Sequence, residues 1–147
     1  MTLGRARTRC GPGKPRYTLP LVDPCPFCER IARGDVTAGD ELVVSFPDAY
    51  PLNSGHALIV PRRHAADYRD LSDAEQQAMW RMIAEVCTQV EREWQPAGYN
   101  IGINIGAAAG QTVDHAHLHV IPRYHGDVEE PRGGIRWVVP SRARYWT

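Results

Sequence analysis

The stretch His115–Arg123, HAHLHVIPR, holds half of the six histidines of the chain and spaces three of them two residues apart. Because successive side chains of a β-strand point to opposite faces, this spacing predicts a strand with His115, His117 and His119 on one face and apolar residues on the other. Three imidazoles in a row fit a solvated surface, a metal site or nucleophilic chemistry near neutral pH. The histidines alone leave these three alternatives open.

The composition predicts one globular domain that binds neither nucleic acid nor a membrane. The 147 residues are 43% hydrophobic, and 17 acidic residues balance 17 basic ones, so neither a nucleic acid nor a membrane partner is expected. The longest apolar runs are too short to span a bilayer, and the basic start of the chain lacks a secretory segment, which predicts a cytoplasmic protein. Residues 1–22 carry five basic and no acidic residues and predict a mobile tail, so the domain should comprise residues 23–147.

The periodicity of the remaining segments predicts an α+β fold with an antiparallel sheet. ELVVSF (41–46) and HALIVP (56–61) flank a loop rich in proline and glycine, as in an antiparallel pair of strands, and GYNIGINIG (98–106) is a further strand. CPFCERIARG (25–34) predicts a short helix that ends at its glycine. Ser72 and Glu75 form a capping box in front of an amphipathic helix that runs to Trp94.

Cys25 and Cys28 have the spacing of a zinc knuckle. Two thiolates need two further ligands to close a tetrahedral structural site, and His64 and His115 are suited to complete it. A redox role for the Cys-x-x-Cys pair and reduced thiols without a metal are the alternatives, but the chain lacks the βαβ pattern that accompanies redox pairs. The residues therefore favour a structural zinc ion.

The loop GAAAGQT (106–112) leads directly into the histidine segment. Its backbone N–H groups, including that of Gly110, the Gln111 amide and the Thr112 hydroxyl are donors suited to phosphate oxygens. Glycine-rich turns are common and do not by themselves indicate phosphate binding. We interpret this loop as a phosphate site because it leads directly into the histidines.

HAHLHVIPR resembles the His-x-His-x-His signature of the histidine triad (HIT) family. The resemblance extends to CPFCERIARGD (25–35), FPDAYPLNSGHALIVPRRH (46–64) and NIGINIGAAAGQTVDHAHLHV (100–120), so that it covers roughly residues 23–125. It implies a HIT-like α+β fold with about five antiparallel strands, one long helix and a short amino-terminal helix, assembled as a homodimer. RGGIRWVVP (132–140) and the terminal Tyr-Trp resemble the tail of one bacterial branch, and residues 131–147 are expected at the dimer or pocket interface.

The resemblance also implies roles for individual residues. His117 would attack the α-phosphorus of a nucleotide and form a covalent nucleotidyl-histidine, while His119, Thr112 and Gln111 would contact the phosphate or the leaving group. The zinc ligands Cys25, Cys28, His64 and His115 resemble the site of galactose-1-phosphate uridylyltransferases and several bacterial triad proteins. The expected nucleotide-binding residues, for a purine mononucleotide such as AMP or GMP, are Asp48 at the ribose, Asn104 near the phosphate, His56 as a fourth histidine, Gly110 in the loop, and Phe27, Ile31 and Phe46, with Leu52 beside them, around the base.

These features predict a nucleotidyl hydrolase that acts on a nucleoside phosphoramidate or a dinucleoside polyphosphate without an organic cofactor. The third histidine, His119, favours hydrolysis because the transferase branch of the family has glutamine there. A nucleotidyltransferase or phosphorylase, a non-catalytic nucleotide-binding scaffold, and a metallohydrolase that uses all three histidines as zinc ligands are the alternatives. The residues do not determine the leaving group or the base.

Overall fold

The computed structural model describes residues 25–146. They form a short helix α1 (Pro26–Arg33), strands β1 (Ala38–Gly39), β2 (Val43–Pro47) and β3 (Ala57–Pro61), a long helix α2 (Asp73–Trp94), and strands β4 (Gly98–Ile103) and β5 (Leu118–Arg123). The predicted α+β class, with one long helix, a short amino-terminal helix and five strands, is confirmed. The predicted basic tail, residues 1–22, lies outside the described residues.

The five strands form one antiparallel sheet in the order β1-β2-β3-β5-β4. Strand β5 therefore lies between β3 and β4. In this register His119 pairs with Leu58 on one side and with Gly102 on the other. Directly paired residues of antiparallel strands point to the same face, so the sheet brings His119 beside a residue without a side chain.

Different helices cover the two faces of the sheet. On one face α2 packs through Met79, Met82 and Val86 against residues such as Ile59 and Leu118. The opposite face is covered over β2 and β3 by α1, whose Phe27 packs with Val44, Phe46, Leu58 and Val60. A 3₁₀ helix at Gly134–Val138 lies over β4. Because both faces are covered, β2 and β3 are nearly continuous buried apolar runs.

The helix ends follow the local sequence signals. The Ser72 side chain accepts from the Glu75 N–H and the Glu75 side chain accepts from the Ser72 N–H, so the predicted capping box is present. Gly34 ends α1 in the left-handed conformation, with φ 72°. Within residues 25–146, neither helix combines the length and the apolar character that crossing a membrane requires.

Two strands are shorter than predicted. Strand β4 ends at Ile103, and β5 begins only at Leu118, so His115 and His117 precede the strand on which His119 lies. For β5 the reason is a long-range hydrogen bond, since the Ala116 N–H donates to the Ala65 carbonyl at 2.7 Å. The backbone around His115 is thereby held to the segment after β3, outside the sheet ladder.

Candidate active site

The three histidines of the motif lie together but in different surroundings. His115 and His117 are 0% and 5% exposed, whereas His119 is only partly buried. The Phe27 ring contacts both buried imidazoles edge-on, with centroid distances of 5.8 Å to His115 and 5.3 Å to His117. Helix α1 thus covers His115 and His117, and His119 is the most exposed of the three.

A backbone carbonyl fixes the proton of His117. Its Nδ1 lies 2.8 Å from the carbonyl oxygen of His115, which can only accept, so Nδ1 carries the hydrogen and Nε2 has a free lone pair. Burial lowers the pKa of His117, which keeps the ring neutral at pH 7. A neutral imidazole with an available Nε2 lone pair is suited to nucleophilic attack.

A second backbone group fixes the proton of His119 through His56. The Leu52 N–H donates to His56 Nδ1 at 3.2 Å, so the proton of the neutral His56 ring lies on Nε2, which donates to His119 Nδ1 at 3.1 Å. The proton of His119 is then on Nε2. Burial lowers the pKa of His56, and burial together with the neighbouring His117 and His56 lowers the pKa of His119 to about 4. His119 is therefore a neutral hydrogen-bond donor at pH 7.

Asp48 lies beside these two histidines. Its Oδ2 is 3.5 Å from His56 Nε2 and 3.8 Å from His119 Nδ1, and its Oδ1 accepts the Tyr50 N–H at 2.8 Å. The ligand atoms of Asp48, His56 and His119 are close enough together to surround a cation. The Leu52 N–H opposes this use, because it leaves the hydrogen of His56 on the nitrogen that would face the metal. We interpret the cluster as a hydrogen-bonded relay.

The predicted zinc ligands Cys25, Cys28, His64 and His115 form a second cluster, with one ligand atom of each within 4.8 Å of the others. Sulfur to nitrogen distances are 3.4 Å for Cys25 to His115, 3.4 Å for Cys28 to His64 and 3.6 Å for Cys28 to His115. Tetrahedral zinc with bonds of about 2.3 Å to sulfur and about 2.0 Å to nitrogen separates such ligands by roughly 3.5 Å. The four side chains therefore fit zinc.

The surroundings of His115 favour a metal, and those of Cys28 disfavour a redox-active pair. His115 Nε2 donates to the Pro61 carbonyl at 2.9 Å, which leaves Nδ1, the nitrogen beside the cysteines, free to bind a metal. Burial and the neighbouring Cys25 raise the pKa of the Cys28 thiol to about 11, whereas redox-active Cys-x-x-Cys pairs have a lowered pKa. Among residues 25–146, the clusters able to hold a metal separate His115 from His119, which disfavours one zinc bound by the whole triad.

The loop before the histidines is held by Gln111. Its Nε2 donates to the carbonyls of Ala66 at 2.7 Å and Val113 at 3.0 Å, and its Oε1 accepts the Gly106 N–H at 2.8 Å. Contact of this amide with a phosphate would require exchange of one of these bonds, so the role predicted for Gln111 stays a prediction. Thr112 is exposed, and Gly110 adopts φ 88°, a conformation that favours glycine.

Of the residues predicted around the base, Phe27 and Ile31 lie on α1 and Phe46 on β2, whereas Leu52 lies in the loop between β2 and β3 and is 72% exposed. Phe27 and Phe46 are 9% and 0% exposed, and their rings are 5.4 Å apart. The guanidinium of Arg30 covers the Phe46 ring at 4.2 Å and donates to the Pro47 carbonyl at 2.7 Å. A base could reach Phe46 only after Arg30 moves, whereas the partly buried Ile31 lies one position further along α1.

Arg30 is a residue that the sequence analysis missed. Its spacing of three residues from Phe27 on a helix was the available signal. Asn104, which was predicted near the phosphate, directly follows Ile103, the partner of Leu118 in the sheet. Asn104 thus lies just beyond the end of β4, and its place near the phosphate stays a prediction.

Comparison with known proteins identifies the family of this chain. The family described as the HIT domain matches residues 30–126. The chain belongs to the HIT family. Its relatives include proteins named as enzymes that process nucleotides. The HIT chain is 35% identical over 117 residues to the adenosine 5′-monophosphoramidase of Schizosaccharomyces pombe, an alignment that covers 77% of this chain and 82% of the relative.

The chain is also similar to a phosphorylase and to a zinc-bound protein. The chain is 35% identical over 95 residues to the AP-4-A phosphorylase of Mycobacterium tuberculosis, which covers 64% of this chain and 49% of that protein. It is also similar to the crystal structure of a zinc-bound histidine triad family protein from Mycobacterium smegmatis, with 34% identity and a TM-score of 0.64 over 73% of this chain and 80% of that one. The similarity to this structure agrees with the predicted HIT-like fold.

Proposed function

We propose that this HIT protein is a nucleotidyl hydrolase that cleaves a nucleoside phosphoramidate or a dinucleoside polyphosphate at the α-phosphorus. The observation that carries the proposal is the hydrogen bond between His117 Nδ1 and the His115 carbonyl, which directs the Nε2 lone pair of a neutral, buried ring into the site. The match to the monophosphoramidase supports the same reaction.

In the proposed first step His117 Nε2 forms a bond to the α-phosphorus, and the bond from phosphorus to the leaving group breaks. An amine that leaves takes up one proton. His119, whose Nε2 carries a proton, donates to an oxygen of the phosphorus as negative charge develops. In the second step water attacks the phosphorus, the bond to His117 breaks and one proton is released. The cycle restores neutral His117. In this proposal Asp48 would bind the ribose hydroxyls.

We also propose that Cys25, Cys28, His64 and His115 hold a structural zinc ion. The distances within the cluster and the hydrogen bond from His115 to Pro61 support this assignment. Zinc would hold the carbonyl of His115 in place by fixing the same residue's side chain. That carbonyl accepts the hydrogen bond from His117 Nδ1. The metal would therefore support the reaction by keeping the nucleophile oriented.

The proposed intermediate can be detected directly. We expect intact-mass spectrometry of rapidly quenched protein to show a nucleotidyl adduct with adenosine phosphoramidate or diadenosine tetraphosphate. His117→Ala should lose the adduct and at least about a thousandfold of turnover, because it removes the nucleophile.

His125→Ala is the matched control, since His125 is an exposed histidine after β5, outside the cluster around His117. Full activity of His117→Ala, or an adduct that persists in it, would refute the assignment.

A phosphorylase of the same fold is the second candidate, and the match to the AP-4-A phosphorylase favours it. In this reaction inorganic phosphate, in place of water, would take the nucleotide from His117. Wild-type protein in phosphate buffer should release AMP from diadenosine tetraphosphate if it is a hydrolase, whereas release of ADP that contains the added phosphate identifies the phosphorylase.

A non-catalytic nucleotide-binding scaffold is the remaining alternative, and calorimetry that shows binding of AMP or GMP without turnover of either substrate class would identify it.

We further propose a homodimer, because β4 is an edge strand of the sheet and presents unpaired backbone groups. Sedimentation of the full chain and of a chain that ends before Pro131 tests the dimer and the contribution of the tail to it.

A further inference from the structure

A pocket of about 410 Å³ lies between the carboxy-terminal half of α2 and the sheet. Strand β2 shows which face of the sheet this is, because Val43 packs in the cluster with α2 and Val44 in the cluster with α1. Side chains alternate along a strand, so Ser45, which lines the pocket, faces α2. His119 is paired with Leu58 of the α1 cluster, so the histidine site is on the opposite face.

The Ser45 hydroxyl lies at the buried end of the pocket without a partner. Ser45 is 0% exposed, and among the buried side-chain nitrogen and oxygen atoms of residues 25–146 its Oγ alone has no hydrogen bond. Burying a hydroxyl without a partner costs free energy, so such groups are rare in folded proteins. An occupant with a polar atom at its inner end would supply the bond, after a small shift of covering side chains such as Gln89, which lines the same pocket.

The middle of the pocket is apolar and already formed. Val86 and Val90 of α2 and Ala57 of β3 line it, and all three are buried. Gly55 brings the loop between β2 and β3 against the helix, since a Cβ at this position would lie 2.8 Å from Val90 Cγ1 and 3.0 Å from Trp94 Cδ1. The volume and these walls suit a small apolar body such as a benzene ring.

The outer end of the pocket favours a positive charge. Glu93 and Trp94 are exposed, line the pocket and are the last two residues of α2, whose terminal carbonyls carry partial negative charge. A carboxylate and an indole ring both attract an ammonium group. The other titratable residues of the lining are Asp48, a second carboxylate, and His56, whose pKa is lowered by burial. Within the part of the chain that the structure describes, the lining contains neither lysine nor arginine.

We propose that this pocket is a second ligand site, which takes a small organic ammonium ion with an apolar body and a hydroxyl group at its far end. The body lies between the two valines of α2 and Ala57, the ammonium group lies beside Glu93, and the hydroxyl bonds to Ser45. The inference does not depend on the proposed function, because the pocket and the histidines lie on opposite faces of the sheet.

The test titrates the full-length protein with three probes of one shape and follows the backbone amides by NMR. Tyramine carries the ammonium and the hydroxyl, phenethylamine lacks the hydroxyl, and 3-(4-hydroxyphenyl)propionate replaces the ammonium with a carboxylate. Tyramine should bind with a Kd of about 1 mM or lower, as expected for roughly ten non-hydrogen atoms, and should shift the amides of Ser45 and residues 86–94. Phenethylamine should bind about fivefold more weakly and the propionate at least about tenfold more weakly.

Two variants separate the contributions of the hydroxyl and the charge. Ser45→Ala should weaken tyramine about fivefold and leave phenethylamine unchanged, and it should not lower Tm, because it removes a hydroxyl that has no partner within the protein. Glu93→Gln should weaken both amines and reduce the preference for tyramine over the propionate.

Glu91→Gln is the matched control, because Glu91 is an exposed carboxylate in the same last turn of α2 but lies outside the lining. It should bind all three probes as wild type does. The proposal would be overturned by the absence of tyramine binding at about tenfold the expected Kd, by amide shifts confined to the histidine site, or by wild-type tyramine affinity in both Ser45→Ala and Glu93→Gln. A lower Tm of Ser45→Ala would contradict the unpartnered hydroxyl on which the proposal rests.

Discussion

Hydrogen bonds to the backbone decide which nitrogen of each histidine carries the proton. His115 donates to Pro61, His117 donates to the carbonyl of His115, and His56 accepts from Leu52. A backbone N–H can only donate and a carbonyl can only accept, whereas each imidazole nitrogen can do either. The backbone partner therefore determines which tautomer the ring adopts. The three imidazoles of the motif consequently offer different groups to a ligand, which are the Nδ1 lone pair of His115, the Nε2 lone pair of His117 and the Nε2 hydrogen of His119.

His56 should act as a positioning residue for His119. His56→Leu removes the donor to His119 Nδ1, and because the His119 tautomer is then no longer fixed, we expect kcat to fall by about tenfold or more. His56→Gln, whose amide N–H can donate to the same nitrogen, should recover part of the loss. Nitrogen-15 NMR of the His119 ring should show protonated Nε2 in wild type and a mixture of tautomers in His56→Leu.

A structural role for His56 alone would change the free energy of unfolding and leave the His119 tautomer as in wild type. Wild-type values of both kcat and the ring nitrogen shifts in His56→Leu would contradict the relay.

Motif residues could be predicted from the sequence better than their contacts. The four residues predicted as zinc ligands lie together as expected from cysteine spacing and the two histidines. The internal bonds of Gln111 and the position of Arg30 over Phe46 were not predictable, because both depend on segments distant in sequence or on side-chain conformation. Donor type identifies a candidate residue, but only the fold determines whether the donor is free.

At the level of elements, the start of α2 combines a local cap with a long-range ion pair. Glu75 closes the capping box with Ser72 and accepts from Arg63 Nε and Nη2 at 3.0 and 2.8 Å. The hydrogen bonds from Arg63, followed by those from Ser72, lower the pKa of Glu75 from 4.5 to about 2. The amino terminus of α2 is thereby joined to the segment that follows β3.

We expect Glu75→Gln to lower the free energy of unfolding at pH 7 by about 1–2 kcal/mol, since a charge-assisted hydrogen bond is lost. The folded-state pKa is below the unfolded one, so the contribution of Glu75 is complete above pH 4.5 and is lost as the pH falls towards 2. Urea unfolding at pH 7 and pH 3 should therefore show a smaller difference between variant and wild type at pH 3.

Glu85→Gln serves as the control on the exposed side of the same helix and should have little effect at either pH. If the difference in free energy of unfolding between Glu75→Gln and wild type grew as the pH falls, the proposed pH dependence would be wrong.

The elements with local signals were the ones predicted well. The capping box and Gly34 fix the start of α2 and the end of α1 within a few residues of sequence. The first residue of β5 was misplaced because the hydrogen bond from Ala116 to Ala65 takes His115–His117 out of the ladder. Alternation of side chains continues outside a strand, so periodicity alone could not locate this boundary.

At the scale of the whole molecule, the cluster proposed to hold zinc joins three separate parts of the chain. Cys25 and Cys28 lie at the start of α1, His64 follows β3, and His115 precedes β5. We expect Cys25→Ser to lose most of the zinc, to lower the free energy of unfolding by about 3 kcal/mol or more, and to lower Tm by roughly 10 °C. Elemental analysis and thermal unfolding measure the two effects.

Cys87→Ser is the matched control, because this partly buried cysteine lies on α2 outside the metal cluster. It should retain the zinc. One zinc per chain in Cys25→Ser would refute the proposed ligand set.

The contacts that orient His117 and His119 all come from residues up to 119, and the HIT family match ends at residue 126. The helix at Gly134–Val138, which overlies β4 from the other end of the chain, begins after that boundary. Substitutions in this segment should therefore leave unchanged the hydrogen bonds that set the histidine tautomers. The shape of the molecule over β4 can thus change independently of the protonation of its histidines.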